Sequence, residues 1–585
     1  MRQSRLRRPR RATGEHHGRP RAVALAVVAA CALASPAFGA APPAVVPQAS
    51  QFTTRQELGA GAVGHPELPE QRRAPPQLGK PQHDVYMDVA RYEVPADAPK
   101  ALRDALPRLT APFVGKHRDF EDLQDAALAV TRYLQGTLGY YLGYAYIPPQ
   151  VPHQHVVRIA ILPGRLDHVE LRWNDQIPVK KSVVMAYLKR LHPGAIITVR
   201  NIERSIFLVS DLYGLRLRVD VEPGSRPGTA IVVFKPAPES RVSGHVTVDG
   251  NGSRYIGVYR VSALLTIASP LGIGDGLSLS GLESTTGGLK FGLLGYTVPI
   301  GGSGLKAGLA LTTLRYSIDR SIFPIGYSGT AHAVNVFALY PLVRSRNLNV
   351  FIVGGADDKH YDDVVASAAT MKTIRDVTLQ FSGDYHDAFL SGGIGTFDFS
   401  VEHGRVAFGS FEPLGNDDSP AFTKIDFGAA RLQNLVPYQY QLYLSMHGQW
   451  AFNNLDTTEQ FRVGGPNGVR AFAPGEGSSD SGVVASAELR WLPPRSLFGH
   501  YARRMVLAAF YDVGYVQFRR NPTLVPRPLG YQNTADYQGV GISLAMSRPH
   551  RYGLTLSLAE PVRGVTTADT AARHPRIFVQ YTRYF

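Results

Sequence analysis

An arginine and an aspartate stand in two segments that otherwise have the alternating pattern of β-strands. Arg470 lies in FRVGGPNGVRAF, residues 461–472, and Asp512 lies in FYDVGYV, residues 510–516. A guanidinium presents a planar fork of N–H donors that can hold a carboxylate in a fixed orientation. The two residues therefore predict an ion pair, and the surrounding elements must be arranged to bring them together.

The chain from about residue 240 to Phe585 consists of short runs in which apolar and small or polar residues alternate. LKAGLALTTLRYSI at 305–318 and YQYQLYLSMHGQW at 438–450 are two of them. Such strands survive in a bilayer only as a closed barrel, because every backbone donor and acceptor must be paired there. At roughly ten residues per tilted strand plus a similar allowance for loops, residues 239–585 predict a transmembrane antiparallel β-barrel of about sixteen strands.

A soluble β-sandwich or propeller has the same local pattern, and other features of the sequence favour the barrel. Glycine and aromatic residues are frequent, and tracts such as GGADDKHYDDV at 354–364 are interpreted as solvated surface loops. The mean hydropathy is -0.10, and no run of eighteen or more apolar residues follows the N-terminal region. Helical membrane spans are therefore not predicted.

Strand alternation orients Asp512 toward the lumen of the predicted barrel. The residues that share its face are Phe510, Gly514 and Val516. The residues on the opposite face, which suits lipid, are Tyr511, Val513 and Tyr515. Breaking the pair with Arg470 would cost about 3–5 kcal/mol in a dry lumen and about 0–1 kcal/mol in a wet one. The pair could take part in gating or only stabilise the barrel.

Motifs for other chemistry are missing from the sequence. It contains no phosphate-binding G-x-x-x-x-G-K-[ST] loop, no HExxH and no G-x-S-x-G. The acidic residues around Asp357 do not have the spacing of a calcium loop, and His153 and His155, two apart on a predicted strand, have no visible third ligand. We therefore predict no enzymatic activity, no cofactor and no metal.

The N-terminal region predicts export followed by a spacer. Residues 1–39 combine a basic stretch, an apolar core at 22–34 and small residues before a cleavage site, which is typical of a signal peptide. Its removal takes away eight arginines, one glutamate and the only cysteine, and lowers the formal charge from +15 to about +8. The remaining basic residues are dispersed, which argues against nucleic-acid binding. Residues 40–82 form a Pro-rich linker with a possible short helix.

Residues 83–238 have a mixed α/β pattern that occurs twice. Leu123 and Ile202 lie 79 residues apart at matching points of two amphipathic helices. Two small domains, at 83–165 and 166–238, are therefore predicted, each with a helix pair on a short sheet. A small sheet leaves an edge strand on which an extended segment can add itself, although such an edge can also simply be capped.

The order of these segments resembles an outer-membrane transporter of two-partner secretion, of the hemolysin secretion/activation type. The resemblance rests on the two modules, the opening of the barrel with SGHVTVDGNGSRYIGVY at 243–259, VGGPNGVRAF, FYDVG and the terminal phenylalanine. It implies two periplasmic POTRA domains, a sixteen-stranded barrel, an N-terminal plug helix and a long loop folded into the lumen. It also implies that Phe585 is the C-terminal signal of the barrel.

The resemblance assigns the tip of that lumen loop to four residues. The family reads VRGY at the tip, and this sequence matches it at Val469, Arg470, Ala471 and Phe472. The family's tip arginine contacts the aspartate of the FYDxG strand, which matches Asp512. Ala471 replaces a glycine, so it would be strained if the tip required a positive φ there. Phe472 replaces a tyrosine and removes one hydroxyl hydrogen bond.

The resemblance implies the function of an outer-membrane pore of a Gram-negative bacterium that recognises a large, unfolded partner exoprotein and exports it through the barrel, whereas the residues alone indicate only a barrel with two periplasmic modules. Predicted partners are the secreted exoprotein and outer-membrane lipid, and the barrel is predicted to be monomeric. A barrel-assembly insertase of the same superfamily and a passive porin are the alternatives. Two modules fit secretion better than an insertase, and a porin has no use for modules.

Overall fold

The computed structural model describes residues 86–585 except 323, 325, 366–367, 410–417, 524–531, 567–568 and 570–573. The predicted signal peptide at 1–39, and the linker at 40–82 with its possible plug helix, lie outside the described residues. No helix in the described part of the chain is long and apolar enough to span a membrane.

The first unit packs two helices against short strands. Its helices are α1 (Lys100–Thr110) and α2 (Phe120–Gly136), and its strands are β1 (Met87–Val89), β2 (Arg91–Glu93), β3 (Gly115–Arg118), β4 (Tyr144–Tyr146), β5 (Val156–Arg158) and β6 (Ala160–Leu162). The strands pair as β1 with β3, β2 with β5, and β4 with β6. Asp119 caps α2 by accepting from the backbone N–H of Asp122, and Leu123 and Val130 line its buried face.

The second unit has one three-stranded sheet and two helices. Its elements are β7 (Arg165–Leu171), α3 (Lys181–Leu188), α4 (Val199–Ser210), β8 (Leu215–Pro223) and β9 (Thr229–Pro238). The sheet order is β7-β9-β8, with β9 parallel to β7 and antiparallel to β8. Ile206 and Val209 on α4 pack against Val232 and Phe234 on β9, so the unit has its own apolar core.

Sixteen antiparallel strands close into a barrel, which confirms the predicted fold. They are β10 (Val242–Asp249), β11 (Arg260–Ala268), β12 (Gly276–Ser284), β13 (Leu289–Ile300), β14 (Leu305–Ser317), β15 (Tyr327–Arg344), β16 (Leu348–Val365), β17 (Ala368–Asp387), β18 (Gly393–Phe408), β19 (Ala421–Val436), β20 (Tyr440–Ala451), β21 (Ser481–Trp491), β22 (Met505–Gln517), β23 (Thr534–Arg548), β24 (Tyr552–Arg563) and β25 (Arg576–Tyr584). β25 pairs with β10 over five residue pairs, from His245 and Tyr584 to Asp249 and Gln580. Closure leaves no free sheet edge in the bilayer.

The second unit contacts the turns at one end of the barrel, which we call the near end; the opposite end is the far end. The side chains of Arg344 in β15 and Asp211 pair at 2.7 Å. Arg204 on α4 donates to the carbonyl oxygen of Pro341 at 2.9 Å. The backbone N–H of Lys180 donates to Gly272 in the turn between β11 and β12 at 2.8 Å. The unit is therefore fixed over the β11–β16 side of the near end.

The interpretation of two polar segments was wrong. The tract at 354–364 belongs to strand β16 rather than to a surface loop. β16 has 18 residues, more than the roughly ten that cross a bilayer, so its charged part extends beyond the apolar band or faces the lumen. His153 and His155 precede β5 in a turn, where His155 has a φ of 59°, so they do not share a strand face.

Candidate functional site

The connection between β20 and β21, residues 452–480, is folded into the lumen. It begins at the far end, yet Leu455, Glu459, Val463 and Val469 within it are fully buried. Glu459 touches charged side chains of β16 and β19, and Arg470 touches those of β21 and β22. The loop therefore lies across the lumen against two parts of the wall.

Arg470 forms a forked pair with Asp512 on β22. Its Nε donates to Asp512 Oδ2 at 2.9 Å and its Nη2 donates to Oδ1 at 2.7 Å. The backbone N–H of Arg470 also donates to Oδ2, at 3.0 Å. Asp512 is 0% exposed and Arg470 is 9% exposed. The pair is therefore in a dry environment, where loss of one partner carries the larger cost.

Neighbouring wall residues complete the site around the guanidinium. Arg470 Nη1 donates to Glu488 Oε1 at 2.7 Å, and Nη2 donates to Ser486 Oγ at 2.9 Å. Glu488 also accepts from Arg490, with Nη2 to Oε2 at 2.7 Å. The Arg470 guanidinium carbon lies 3.3 Å from the ring centroid of Phe510. We call the following residues the arginine anchor: Arg470, Ser486, Glu488, Arg490, Phe510 and Asp512.

Sequence reasoning found Arg470 and Asp512 but missed their neighbours on β21. Ser486 lies directly opposite Asp512 in the β21–β22 register, and Glu488 lies opposite Phe510. The period-two spacing of Ser486, Glu488 and Arg490 in ASAELRW was the available signal, because it places all three on the face shared with Asp512 across the ladder.

Glycines in the wall make room for the loop tip. A Cβ added at Gly514 would lie 2.2 Å from Val463 Cγ2, and one added at Gly539 would lie 2.6 Å from Ala471 Cβ. Ala471 is not among the residues with positive φ, so the tip has no left-handed conformation that alanine would strain. Phe472 is buried, with its ring edge-on to Tyr537 at a centroid distance of 5.0 Å.

A second charged cluster, which sequence reasoning missed, holds the first part of the loop. Lys359 Nζ on β16 and Lys424 Nζ on β19 lie 3.0 Å and 2.7 Å from the two carboxylate oxygens of Glu459. Lys372 on β17 donates to Asp456 at 2.8 Å. We call these five residues the lysine anchor. The lysines were not recognisable as partners because they are more than thirty residues from Glu459 and Asp456 in sequence.

Two further wall carboxylates border the lysine anchor. Asp376 Oδ2 on β17 lies 2.9 Å from Lys359 Nζ. Glu402 on β18 lies 3.7 Å from both Lys359 and Lys424. Both lysines therefore contact a carboxylate of the wall as well as the carboxylate of the loop.

Phe585 lies at the seam of the barrel. Its backbone N–H donates to the carbonyl oxygen of Gly244 at 3.0 Å, and its carbonyl oxygen accepts from the Gly244 N–H at 3.1 Å. The side chain is largely exposed on the outer surface. Its role as a C-terminal signal stays a prediction. No group of three or more His, Cys, Asp or Glu side chains that could hold a metal occurs among the described residues.

Comparison with known proteins places the chain in a family. A model of the family described as haemolysin secretion/activation protein ShlB/FhaC/HecB matches residues 228–525, half of the chain. The heme/hemopexin transporter protein HuxB of Haemophilus influenzae strain 86-028NP is 24% identical over 86% of this chain and 91% of its own length. The outer membrane transporter CdiB of Escherichia coli is 25% identical over 66% of each chain.

Two solved structures share the fold. CdiB from Escherichia coli superposes with a TM-score of 0.66 at 18% identity, over 87% of this chain and 93% of that one. CdiB from Acinetobacter baumannii gives a TM-score of 0.57 at 15% identity, over 88% and 94%. With the family match, these findings confirm the resemblance that the sequence suggested. The chain belongs to the haemolysin secretion/activation family and is an outer-membrane transporter of two-partner secretion, with its barrel in the outer membrane of a Gram-negative bacterium.

Proposed function

We propose that this protein exports one large, unfolded exoprotein through its barrel and that the loop at 452–480 is the element that must move during export. The observation that supports this proposal is the dry, forked contact between Arg470 and Asp512. A loop that crosses the lumen narrows the path of a polypeptide. A contact of fixed geometry gives that loop a defined resting position from which export can displace it.

The two units that precede the barrel are proposed to be periplasmic POTRA domains at 83–165 and 166–238. A signal peptide at 1–39 and a linker at 40–82 would precede them. The barrel is proposed to work as a monomer surrounded by lipid, because its outward positions are apolar and exposed, including Leu309, Leu311, Val334 and Val336. Export requires no covalent chemistry, so we assign no enzymatic step.

The outer edge of β8 is the proposed docking edge for the exoprotein. Within the described part of the chain, β8 pairs only with β9. Leu217 and Leu215 stand opposite Pro236 and Pro238, which have no N–H to donate. These pairs are therefore of the non-hydrogen-bonded class, so N–H groups at alternate β8 positions, Val221 included, point away from β9. The carbonyl oxygens of an extended segment can accept hydrogen bonds from these N–H groups, so that the segment adds a strand to the sheet beside β8.

Export itself is proposed to draw on folding of the exoprotein outside the cell. The sequence has no nucleotide-binding loop, so the downhill step must come from the cargo. An extended chain recognised through its backbone at β8 would enter the barrel without first needing a specific fold. The units would then supply recognition, and the loop would regulate passage.

The test compares Val221→Pro with Val221→Thr in the full chain. Proline removes the outward N–H at the edge without removing a bond to β9, whereas threonine keeps both the N–H and the branched shape. We expect export of the partner exoprotein to fall at least about tenfold for proline, which corresponds to about 1.4 kcal/mol, and to stay near the wild-type level for threonine. Secretion is measured as exoprotein in the medium.

Three outcomes would contradict the proposal. Unchanged export by the proline variant would exclude the β8 edge as the docking site. Deletion of residues 83–238 gives the broader test. A general loss of outer-membrane assembly in this variant would indicate an insertase. Normal export of the exoprotein would indicate that the two units are dispensable, as in a porin. Both variants should keep a barrel whose migration on gels changes with heating.

A further inference from the structure

We propose that the near end of strands β22–β25, which faces the periplasm, binds the phosphate group of an anionic phospholipid in the periplasmic leaflet of the membrane. We call this surface the basic rim. It consists of Arg548, Tyr552 and Arg583 on the strands and of the connection between β21 and β22. Nothing in the export path uses these residues, because they lie on the outer surface rather than in the lumen.

The strand register places one arginine on each side of a tyrosine. Arg548 at the end of β23 stands directly opposite Tyr552 at the start of β24, and Tyr552 stands directly opposite Arg583 on β25. Outward positions further along β24 and β25 are exposed and apolar, including Leu556 and Val579, so this row lies on the lipid-facing surface. Guanidinium groups at the edge of an apolar band reach the level of lipid phosphates.

The connection between β21 and β22 adds apolar and basic side chains at the same level. It contains the short helix α5 (Arg495–Phe498) and a 3-10 turn at Gly499–Arg504, which contacts β23. Leu497 is 64% exposed and Tyr501 is 49% exposed, next to the exposed Arg503. An exposed segment with apolar and basic residues together is suited to the boundary between headgroups and acyl chains.

The basic rim differs from the other side of the near end in the pairing of its charged side chains. On the side covered by the second unit, Arg344 pairs with Asp211 and Arg346 lies 3.6 Å from Glu203. On the basic rim, no Asp or Glu occurs in 489–511, 541–559 or 574–585. None of its exposed arginines pairs with a carboxylate of the described residues. A negatively charged group of another molecule can therefore pair with these arginines without competition from a carboxylate of the described residues.

A lipid phosphate fits this surface better than an acidic peptide does. The row faces outward beside exposed apolar side chains, so the adjoining space is bilayer, where a water-soluble peptide would have to be desolvated. Arginine forms forked hydrogen bonds with phosphate, and the tyrosine hydroxyl between the two arginines can donate a further one. A headgroup that carries a net negative charge would therefore be preferred over a zwitterionic one.

The test uses the full protein in vesicles of phosphatidylethanolamine with or without phosphatidylglycerol. Retained lipid is measured by native mass spectrometry after extraction. We expect wild type to retain phosphatidylglycerol and the double variant Arg548→Gln with Arg583→Gln to bind it about fivefold more weakly for each arginine removed. The matched control changes Arg315 and Arg405, two exposed arginines of the far half of the barrel, to glutamine; it should bind as wild type does.

Three results would overturn the proposal. They are equal phosphatidylglycerol retention by the basic-rim variant and wild type, equal loss in the control, and no preference of wild type for phosphatidylglycerol over phosphatidylethanolamine. An export defect with unchanged lipid retention would assign the rim to the cargo instead. Heat-dependent gel migration verifies that both double variants form barrels, so a folding failure is recognised separately. The test does not depend on the docking role of β8.

Discussion

The lumen loop is held at two points by anchors of opposite polarity. In the arginine anchor the loop supplies the cation, Arg470, and the wall supplies the carboxylates. In the lysine anchor the loop supplies the carboxylates, Glu459 and Asp456, and the wall supplies the ammonium groups. The two contacts also differ in geometry, because a guanidinium fork fixes orientation whereas an ammonium group acts as a point charge.

The difference teaches which anchor can be released at lower cost. Removal of Arg470 leaves Asp512, which is 0% exposed, without its cationic partner. Removal of the Glu459 charge leaves Lys359 beside Asp376 at 2.9 Å and Lys424 near Glu402 at 3.7 Å. Lys359 and Lys424 therefore keep wall carboxylates beside them, so their contact with Glu459 can open while both lysines stay neutralised. Among the residues that the structure describes, no second cation pairs with Asp512.

The largest effect is expected from Arg470→Ala. An unpaired buried carboxylate costs about 3–5 kcal/mol, so docking of the loop tip should be lost and export should fall. Loop position is measured by the labelling rate of a cysteine placed at Pro466 in a chain without Cys31. Arg470→Lys is the control, because it keeps the charge and loses the fork; it should have an intermediate rate. Normal export with a fast labelling rate would show that the tip plays no part in transport.

A smaller effect is expected from filling the space that the loop tip occupies. Gly514→Ala places a methyl group 2.2 Å from Val463 Cγ2 and 3.0 Å from Val469 Cγ2, both on fully buried residues. Overpacking of this kind costs about 2 kcal/mol and should weaken docking without removing a charge. Gly354→Ala is the matched control, since nothing lies within 4 Å of its added Cβ. The same labelling assay compares the two, and equal rates would contradict the packing argument.

The barrel was predictable from the sequence because every strand of a closed barrel alternates lumen-facing and lipid-facing residues. This alternation can be recognised within each strand alone. Asp512 was placed on the lumen face with Phe510 and Val516, and the structure buries all three. Tyr511 and Tyr515 are exposed on the opposite face, as the alternation predicts. Period two is enough for these assignments, because the neighbouring strands do not change which face a residue occupies.

Partners across the lumen were not predictable, because they depend on which distant strand faces the loop. Glu459 meets Lys359 across 100 residues of sequence and Lys424 across 35. The tract that contains Lys359 was interpreted as a surface loop because its charges are dense. Charged residues also line the inner wall of a membrane barrel, so a dense run of charges does not distinguish a strand from a surface loop.

The smallest effect of the three is expected from Glu459→Gln, and it tests the comparison most directly. The amide keeps an acceptor for one lysine, and Asp376 and Glu402 remain beside Lys359 and Lys424, so docking should weaken by only about 1.5 kcal/mol. A double-mutant cycle with Lys424→Met, read by the labelling assay, isolates the contact between Glu459 and Lys424. A coupling energy as large as the loss in Arg470→Ala would mean that the wall carboxylates do not compensate. The two anchors would then hold the loop equally, and the release order inferred from their charges would be wrong.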